Sequence, residues 1–295
     1  MTRIFSIHKP KKGLPLIFDS PHSGQDYPLD FNYICSRADL ERAEDKYVDD
    51  LFSRVPAYGG TLLLAEFPRS YIDANRAIDD IDLDLIEGGH WPAELYGPIF
   101  PTARSDAGIG LIRRLIRPGE PLYGSKLCAE TVHRRIHDFY IPYHKKLEEL
   151  IESAHFNFGE VWHINCHSMP NASARPRLPI AISGLNAKNA DFVIGDRDGS
   201  TASQHFTRAL REFIKNLGYT VTINDPYKGV ELIRRYSNPA RGRHSLQIEI
   251  NKALYMNELT LEKSNNYNAL KSDIEKIVLF LSDYVSAQLI PRAAD

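Results

Sequence analysis

Cysteine is scarce: Cys35, Cys128 and Cys166 are the three in 295 residues. Three thiols cannot build a disulfide framework, and none stands in a C-x-x-C pair. Net charge is nearly absent as well, with 36 Lys+Arg against 38 Asp+Glu, a balance of -2. A chain with no global field is not drawn to a polyanion, so nucleic acid and anionic membrane are excluded as main partners, although a local basic pocket is still open to it. No run approaches the roughly 20 apolar residues of a membrane span. The opening MTRIFSIHKPKKG carries no apolar core of a signal peptide. Ser/Gly-rich linkers, internal repeats and low-complexity tracts are missing. What is there, 43% hydrophobic and 25% charged residues, is globular in balance and enough for one large domain or two ordinary ones. The expectation is a cytoplasmic, soluble protein of a reducing compartment.

Apolar runs alternate with helical patterns. Residues 14–18, 61–67, 161–166, 191–195, 219–224 and 245–250 read as strands. Residues 37–55 read as one helix with Leu40, Ala43, Tyr47, Val48, Leu51 and Phe52 on one stripe. A long helix over 124–153 is expected to kink at Pro142, and further helices span 201–217 and 261–288. Alternation of this kind argues for an α/β fold with a largely parallel sheet covered on both faces. The whole chain, 1–295, reads as a single domain. Residues 73–122 fit poorly: they hold Pro92, Pro98, Pro101, Pro118 and Pro121 and the acidic run Asp79 to Asp84. So long a stretch is functional or hides short elements, and a pocket wall or lid is expected there.

In open α/β sheets ligands sit beyond the carboxyl ends of strands, so the polar residues that follow strands carry the information. These are His22, Asn75-Arg76, His167-Ser168, Asn224-Asp225 and Glu249 to Asn251. Histidines, carboxylates and an arginine at strand ends point to a hydrolytic metal site. His22 leaves its strand within Ser20-Pro-His-Ser-Gly24 and can present a ring nitrogen to a metal, or simply hydrogen-bond in a turn. His163, Asn165 and His167 alternate, so three polar groups share one face of a buried strand and need partners. Of these, His167 suits a ligand and His163 a structural role. Asp45 and Asp49 stand four apart, on one face of the expected helix. They are either a solvated acidic face or the source of a carboxylate completing a two-histidine zinc site. His133 and His137 share that spacing but lack the glutamate of H-E-x-x-H. Glu249 alternates with Leu246, Ile248 and Ile250, as on an edge strand with a wet face or as a general base at a strand end. The turn Gly195-Asp-Arg-Asp-Gly199 lacks the full calcium-loop pattern and is expected to be held by Asp–Arg pairing.

Taken in order, Pro21-His-Ser-Gly24, Asp45-Lys-Tyr-Val-Asp-Asp-Leu-Phe52, Tyr71-Ile-Asp-Ala-Asn-Arg76, Cys166-His-Ser-Met-Pro170, Gly195-Asp-Arg-Asp-Gly199, Asn224-Asp-Pro-Tyr-Lys-Gly229 and Arg243 to Asn251 with Leu254-Tyr-Met256 resemble the N-formylglutamate amidohydrolase (deformylase) family. The ordered set covers about residues 14 to 257. The resemblance implies a three-layer α/β/α fold of the zinc carboxypeptidase type with a mostly parallel mixed sheet. It implies a metal-dependent amidase releasing formate from N-formyl-L-glutamate, a step of histidine degradation. His22 and His167 carry over as ligands of Zn2+ or another divalent metal, with Asp45 preferred over Asp49 as the acidic ligand. Asn75 and Arg76 resemble the pair that grips a substrate carboxylate or the reacting carbonyl, and Glu249 resembles the general base. Arg234, Arg235 and Arg243 are candidates for the carboxylate of a small-molecule substrate, because an arginine fork offers paired donors in a plane.

The chain departs from the family at Asn165, where aspartate is frequent, and at Asp73-Ala74, where Asp-Leu is frequent. The first departure is expected to weaken a contact that orients a ligand. Two other readings stay open. One is another zinc deacylase or carboxypeptidase-like amidase on the same scaffold. The other is a metal- or ligand-binding module without catalysis.

Overall fold

The computed structural model describes residues 3–176 and 188–289. The chain forms two compact units. The first comprises residues 1–6, 21–46 and 64–147; the second comprises 7–20, 47–63 and 148–295.

A seven-stranded sheet, mostly in the second unit, is the frame. In chain order its strands are β1 (Phe5–His8), β2 (Leu16–Ser20), β3 (Thr61–Ala65), β6 (Val161–Met169), β7 (Phe192–Gly195), β8 (Val221–Ile223) and β9 (Arg243–Asn251). Between β3 and β6 come the short strands β4 (Leu115–Arg117) and β5 (Glu120–Pro121), which pair only with each other. The order across the large sheet is β1-β3-β2-β6-β9-β7-β8. β2 and β9 flank β6 in parallel, β8 is parallel to β7, and β7 runs antiparallel to β9. Every residue of β2 and β6 is buried; β2 opens on an unbroken apolar run, as a strand covered on both faces does, whereas β6 alternates buried His163, Asn165 and His167 with apolar neighbours. The class is the expected α/β/α one with a mixed, mainly parallel sheet.

In the second unit two helices carry the expected apolar stripes, the closing one starting at Tyr267 rather than at 261. α7 (Gln204–Asn216) starts where the Ser203 hydroxyl accepts the Phe206 N–H, and it buries Phe206, Leu210 and Ile214, one residue per turn. α9 (Tyr267–Gln288) buries Leu270, Ile274, Ile277, Val278, Leu281 and Val285 in the same way. α8 (Glu231–Tyr236) is shorter and buries Leu232, Ile233 and Tyr236.

The helix expected over 37–55 is broken. α1 (Arg37–Ala43) is capped by Ser36 and ends at Glu44, whose backbone is extended; α2 (Val48–Leu51) starts after Tyr47, at φ 69°. No glycine or proline announces this break. A tertiary bond accompanies it: the Asp45 N–H donates to the His22 carbonyl at 3.0 Å. Asp45 therefore lies off the helix, and the four-residue spacing to Asp49 no longer puts both on one helical face.

In the first unit, residues 73–122 hold short elements: β4, β5, α3 (Ala93–Tyr96), α4 (Ala103–Asp106) and two 3-10 turns. The long helix expected over 124–153 is α5 (Ala129–Arg135), a π-turn over Ile136–Tyr140, and α6 (Ile141–Phe158), which crosses into the second unit. The wide turn falls just before Pro142, whose missing N–H cannot serve the carbonyl of Asp138 in an α-helical ladder.

Candidate active site

β2 ends at Ser20, and the first unit's segment 21–46 opens with Pro21 and buried His22. The glycine of Pro21-His-Ser-Gly24 is required by close approach: a Cβ on Gly24 would stand 2.4–2.6 Å from the backbone of Ala65, Glu66 and Phe67. His22 Nε2 is 2.7 Å from Asp73 Oδ1 and its Nδ1 is 3.4 Å from Asp45 Oδ2. Burial pushes the Asp73 carboxyl up, but His22, Arg69 and Arg76 outweigh it and hold Asp73 well below the usual carboxylate range. An ionised carboxylate only accepts, so His22 Nε2 carries a proton, and in the neutral ring the lone pair lies on Nδ1, on the Asp45 side. Asp73 also accepts from Arg69 Nη2 at 2.8 Å and from the Asn75 N–H at 2.9 Å. Arg69 Nη1 reaches Asp45 Oδ1 at 3.6 Å, so one guanidinium braces both acids.

The turn bearing Asn75 and Arg76 is pinned from α6 and the π-turn. The Tyr140 hydroxyl donates to the Arg76 carbonyl at 2.8 Å, and His144 Nε2 donates to the Ala74 carbonyl at 2.8 Å, the two rings stacked 3.9 Å apart. Arg76 is buried, and burial pushes its guanidinium down to about 10. Its Nη1 donates to the Asn75 carbonyl at 3.0 Å.

In the second unit the polar face of β6 meets partners on both sides. Parallel register places Asp19 beside Asn165, Ser245 beside His163 and Glu249 beside His167. Buried Asp19 Oδ1 accepts from Asn165 Nδ2 and from His163 Nε2, each at 2.8 Å, and the Ser245 hydroxyl lies 2.6 Å from His163 Nδ1. With its amino group turned to Asp19, Asn165 presents Oδ1 to His167 Nε2 at 2.7 Å. That nitrogen donates, and the lone pair of His167 sits on Nδ1. Asn165 thus offers the histidine a neutral acceptor where the family frequently has a carboxylate. Beside His167 on β9, Glu249 is buried and accepts from Gln247 Nε2 at 2.7 Å.

Among the described residues one group could hold a metal ion: His22, Asp45 and His167, all buried, each offering a ligand atom within 4.8 Å of the others. Ligands about 2.0–2.1 Å from a tetrahedral ion stand about 3.3–3.4 Å apart. The 3.4 Å between His22 Nδ1 and Asp45 Oδ2 already has that spacing. Asp49 is not in the group. His133 instead stacks on Tyr96 at 4.2 Å, and His137 pairs with Asp138 in the π-turn.

The other arginines of the expected site are engaged elsewhere. Arg243 opens β9, six residues and about 20 Å along the strand from Glu249; its fork grips Glu152 at 2.6 and 2.8 Å. Arg234 makes a fork on Glu231 at 2.7–3.0 Å, and exposed Arg235 stands over the Tyr236 ring. In the Gly195-Asp-Arg-Asp-Gly199 turn the organiser is Asp196 rather than an Asp–Arg pair. It accepts from Asn224 Nδ2 at 2.6 Å, the Gly199 N–H at 2.8 Å and the Thr207 hydroxyl at 2.9 Å.

Two orienting carboxylates escaped the sequence reading. Asp19 directly follows the apolar run 14–18, and Asp73 stands in the Asp73-Ala74 departure before Asn75-Arg76, neither of them a site signal by itself.

Residues 14–256 match the family described as N-formylglutamate amidohydrolase. N-formylglutamate amidohydrolase from Ralstonia eutropha JMP134, a solved structure, is 44% identical at a TM-score of 0.89, with 97% of this chain and 99% of that chain covered. The N-formylglutamate deformylase of Pseudomonas putida is 25% identical over 266 residues, 88% of this chain and 87% of its own length. That of Pseudomonas aeruginosa is 26% identical over 255 residues, 84% and 85% respectively.

Proposed function

This chain belongs to the N-formylglutamate amidohydrolase family and is a hydrolase of linear amides; from that premise we propose that it cleaves the formamide of N-formyl-L-glutamate at a divalent-metal site made by His22, Asp45 and His167. The observation that carries the reading is the meeting of the three ligand atoms within 4.8 Å, with both imidazoles turned lone-pair outward by separate buried partners. Two imidazole nitrogens and one carboxylate oxygen are a donor set that suits zinc, and three protein ligands leave a position open, as catalytic zinc sites do. When bound, such an ion supplies a Lewis acid and acidifies water to near neutral pH.

The chain's own residues do the remaining work. Asp73 and Asn165 hold the tautomers that keep His22 Nδ1 and His167 Nδ1 basic. Glu249, beside His167 on the neighbouring strand and steadied by Gln247, takes a proton from the attacking water and returns it to the leaving nitrogen. Arg76, buried and carrying its charge on a pinned turn, stabilises negative charge developing on the formyl oxygen. Formate and L-glutamate result, a reaction whose place by family resemblance is histidine degradation.

The test is formate release from N-formyl-L-glutamate by protein treated with a chelator and then given zinc. Loss and recovery of turnover are expected; full turnover by metal-free protein contradicts the reading. A panel of N-formyl, N-acetyl and dipeptide substrates separates this reaction from that of a wider deacylase or peptidase.

A further inference from the structure

The segment 108–113 is built to deliver one side chain. Gly108, at φ 75°, turns the chain, and a Cβ on Gly110 would meet the Asp80 carbonyl oxygen at 2.7 Å, so the backbone itself packs against Asp80. The Asp73 N–H donates to the Leu111 carbonyl and the Leu111 N–H to the Asp80 carbonyl, both at 2.8 Å. Arg76 Nε leans on the Ile109 carbonyl at 3.4 Å. Leu111 and Ile112 are buried. The next residue is Arg113, which this anchoring carries into the field of Arg69, Arg76, Asp73 and Asp45.

Arg113 is half-buried, and its Nε is buried with no hydrogen-bond partner. Among the described residues its guanidinium makes neither a hydrogen bond nor an ion pair. Burial first, then repulsion from Arg69 and Arg76, pushes it down to about 9, against the pull of Asp73 and Asp45. A buried guanidinium nitrogen left without a partner costs folding free energy. Three guanidiniums and two acids act on one another here, and both acids are already engaged, Asp73 by His22 and Arg69, Asp45 beside His22 and Arg69. The surplus positive charge calls for an anion that arrives from outside, and a planar fork calls for a carboxylate.

We propose that Arg113 receives a carboxylate of the N-acyl amino-acid substrate, in the role for which Arg234, Arg235 and Arg243 were the sequence candidates. This rests on the amidase reading above and names the residue that makes the substrate an acidic one. Arg76 is left for the reacting carbonyl.

The test is steady-state kinetics of wild type, R113Q and R113K on N-formyl-L-glutamate and its two monoamides, N-formyl-L-glutamine and the α-amide, with melting temperatures alongside. Removing one partner of a buried charged pair costs enough to raise KM about 100-fold, with kcat altered less than about threefold. Wild type should reject one monoamide strongly, and R113Q should lose that discrimination. R113K, keeping charge but not the fork, should fall between. The Tm of R113Q should equal or exceed that of wild type, since a repelled cation is removed. Unchanged KM and discrimination in R113Q overturn the proposal; so does a large fall in Tm that R113K repairs together with activity, the mark of a structural arginine. Calorimetric binding of L-glutamate, which needs no turnover, is expected for wild type and not for R113Q. If wild type fails to hydrolyse any of the three substrates yet this binding difference holds, the reaction assignment falls and Arg113 stands; equal binding by both proteins overturns the role of Arg113.

Discussion

The two candidate histidine ligands are held by opposite devices. In the first unit His22 rests directly on an ionised carboxylate, Asp73, which Arg69 and the Asn75 N–H also claim. In the second unit His167 rests on a neutral amide, Asn165, and the charge stands one step back, on Asp19, where His163 and Asn165 share it. Both devices leave Nδ1 as the lone-pair atom. A direct carboxylate makes its imidazole more basic and a stronger ligand. An amide buttressed by a distant carboxylate fixes the tautomer with less charge in a fully buried part of the sheet. The departure from aspartate at position 165 therefore belongs with Asp19: a second acid 2.8 Å from Asp19 Oδ1 would face like charge in a place without solvent.

The largest effect should come from the residue beside His167 rather than from either device. Glu249→Gln should retain metal and lose about 10²–10⁴ in kcat; a variant with normal turnover would move the general base elsewhere. Next, Asp73→Asn and Asn165→Asp exchange the two devices. Asp73→Asn should weaken zinc affinity about 10–100-fold, read by competition with a chromophoric chelator. An unchanged constant would show that His22 needs no carboxylate. Asn165→Asp should cost stability instead. With two buried acids sharing one proton, the folded pKa lies above the unfolded one, so the loss in Tm should deepen as pH rises from 5 to 8. A Tm equal to that of wild type across this range would contradict the like-charge argument.

The smallest effect is a control at Asp50 in α2, which belongs to neither device. Asp50 is bonded to Lys271, Tyr267 and Lys263, which overcome its burial and hold it down at about 2. A depressed acid stabilises above its unfolded pKa and loses that contribution as pH falls through the folded one. For a group this exposed, Asp50→Asn should cost about 0.5–1 kcal/mol, a Tm shift of about 2 °C. It should leave zinc binding untouched.

Legibility in the sequence followed how local each cause was. Buried strands, the α7 and α9 stripes and the sheet class were readable because burial writes itself into composition and period. His22 and His167 were readable as polar residues where apolar runs stop. The break at Glu44–Tyr47 was not, since a hydrogen bond from Asp45 to His22, 23 positions away, accompanies it and no local breaker marks it. The partnership of Asp19 with His163 and Asn165 depends on strand neighbours 144 and 146 residues apart. Arg113 carries no local signal, because what anchors its segment is the backbone packing of Gly110 and Leu111 on Asp80 and Asp73.

The most direct measurement is zinc stoichiometry by equilibrium dialysis and elemental analysis on wild type, Asp45→Asn, Asp49→Asn and the double variant H22A/H167A. One tightly held ion per chain is predicted for wild type and Asp49→Asn, with occupancy sharply reduced in Asp45→Asn and abolished in the double variant. One tightly held ion in H22A/H167A would contradict the account.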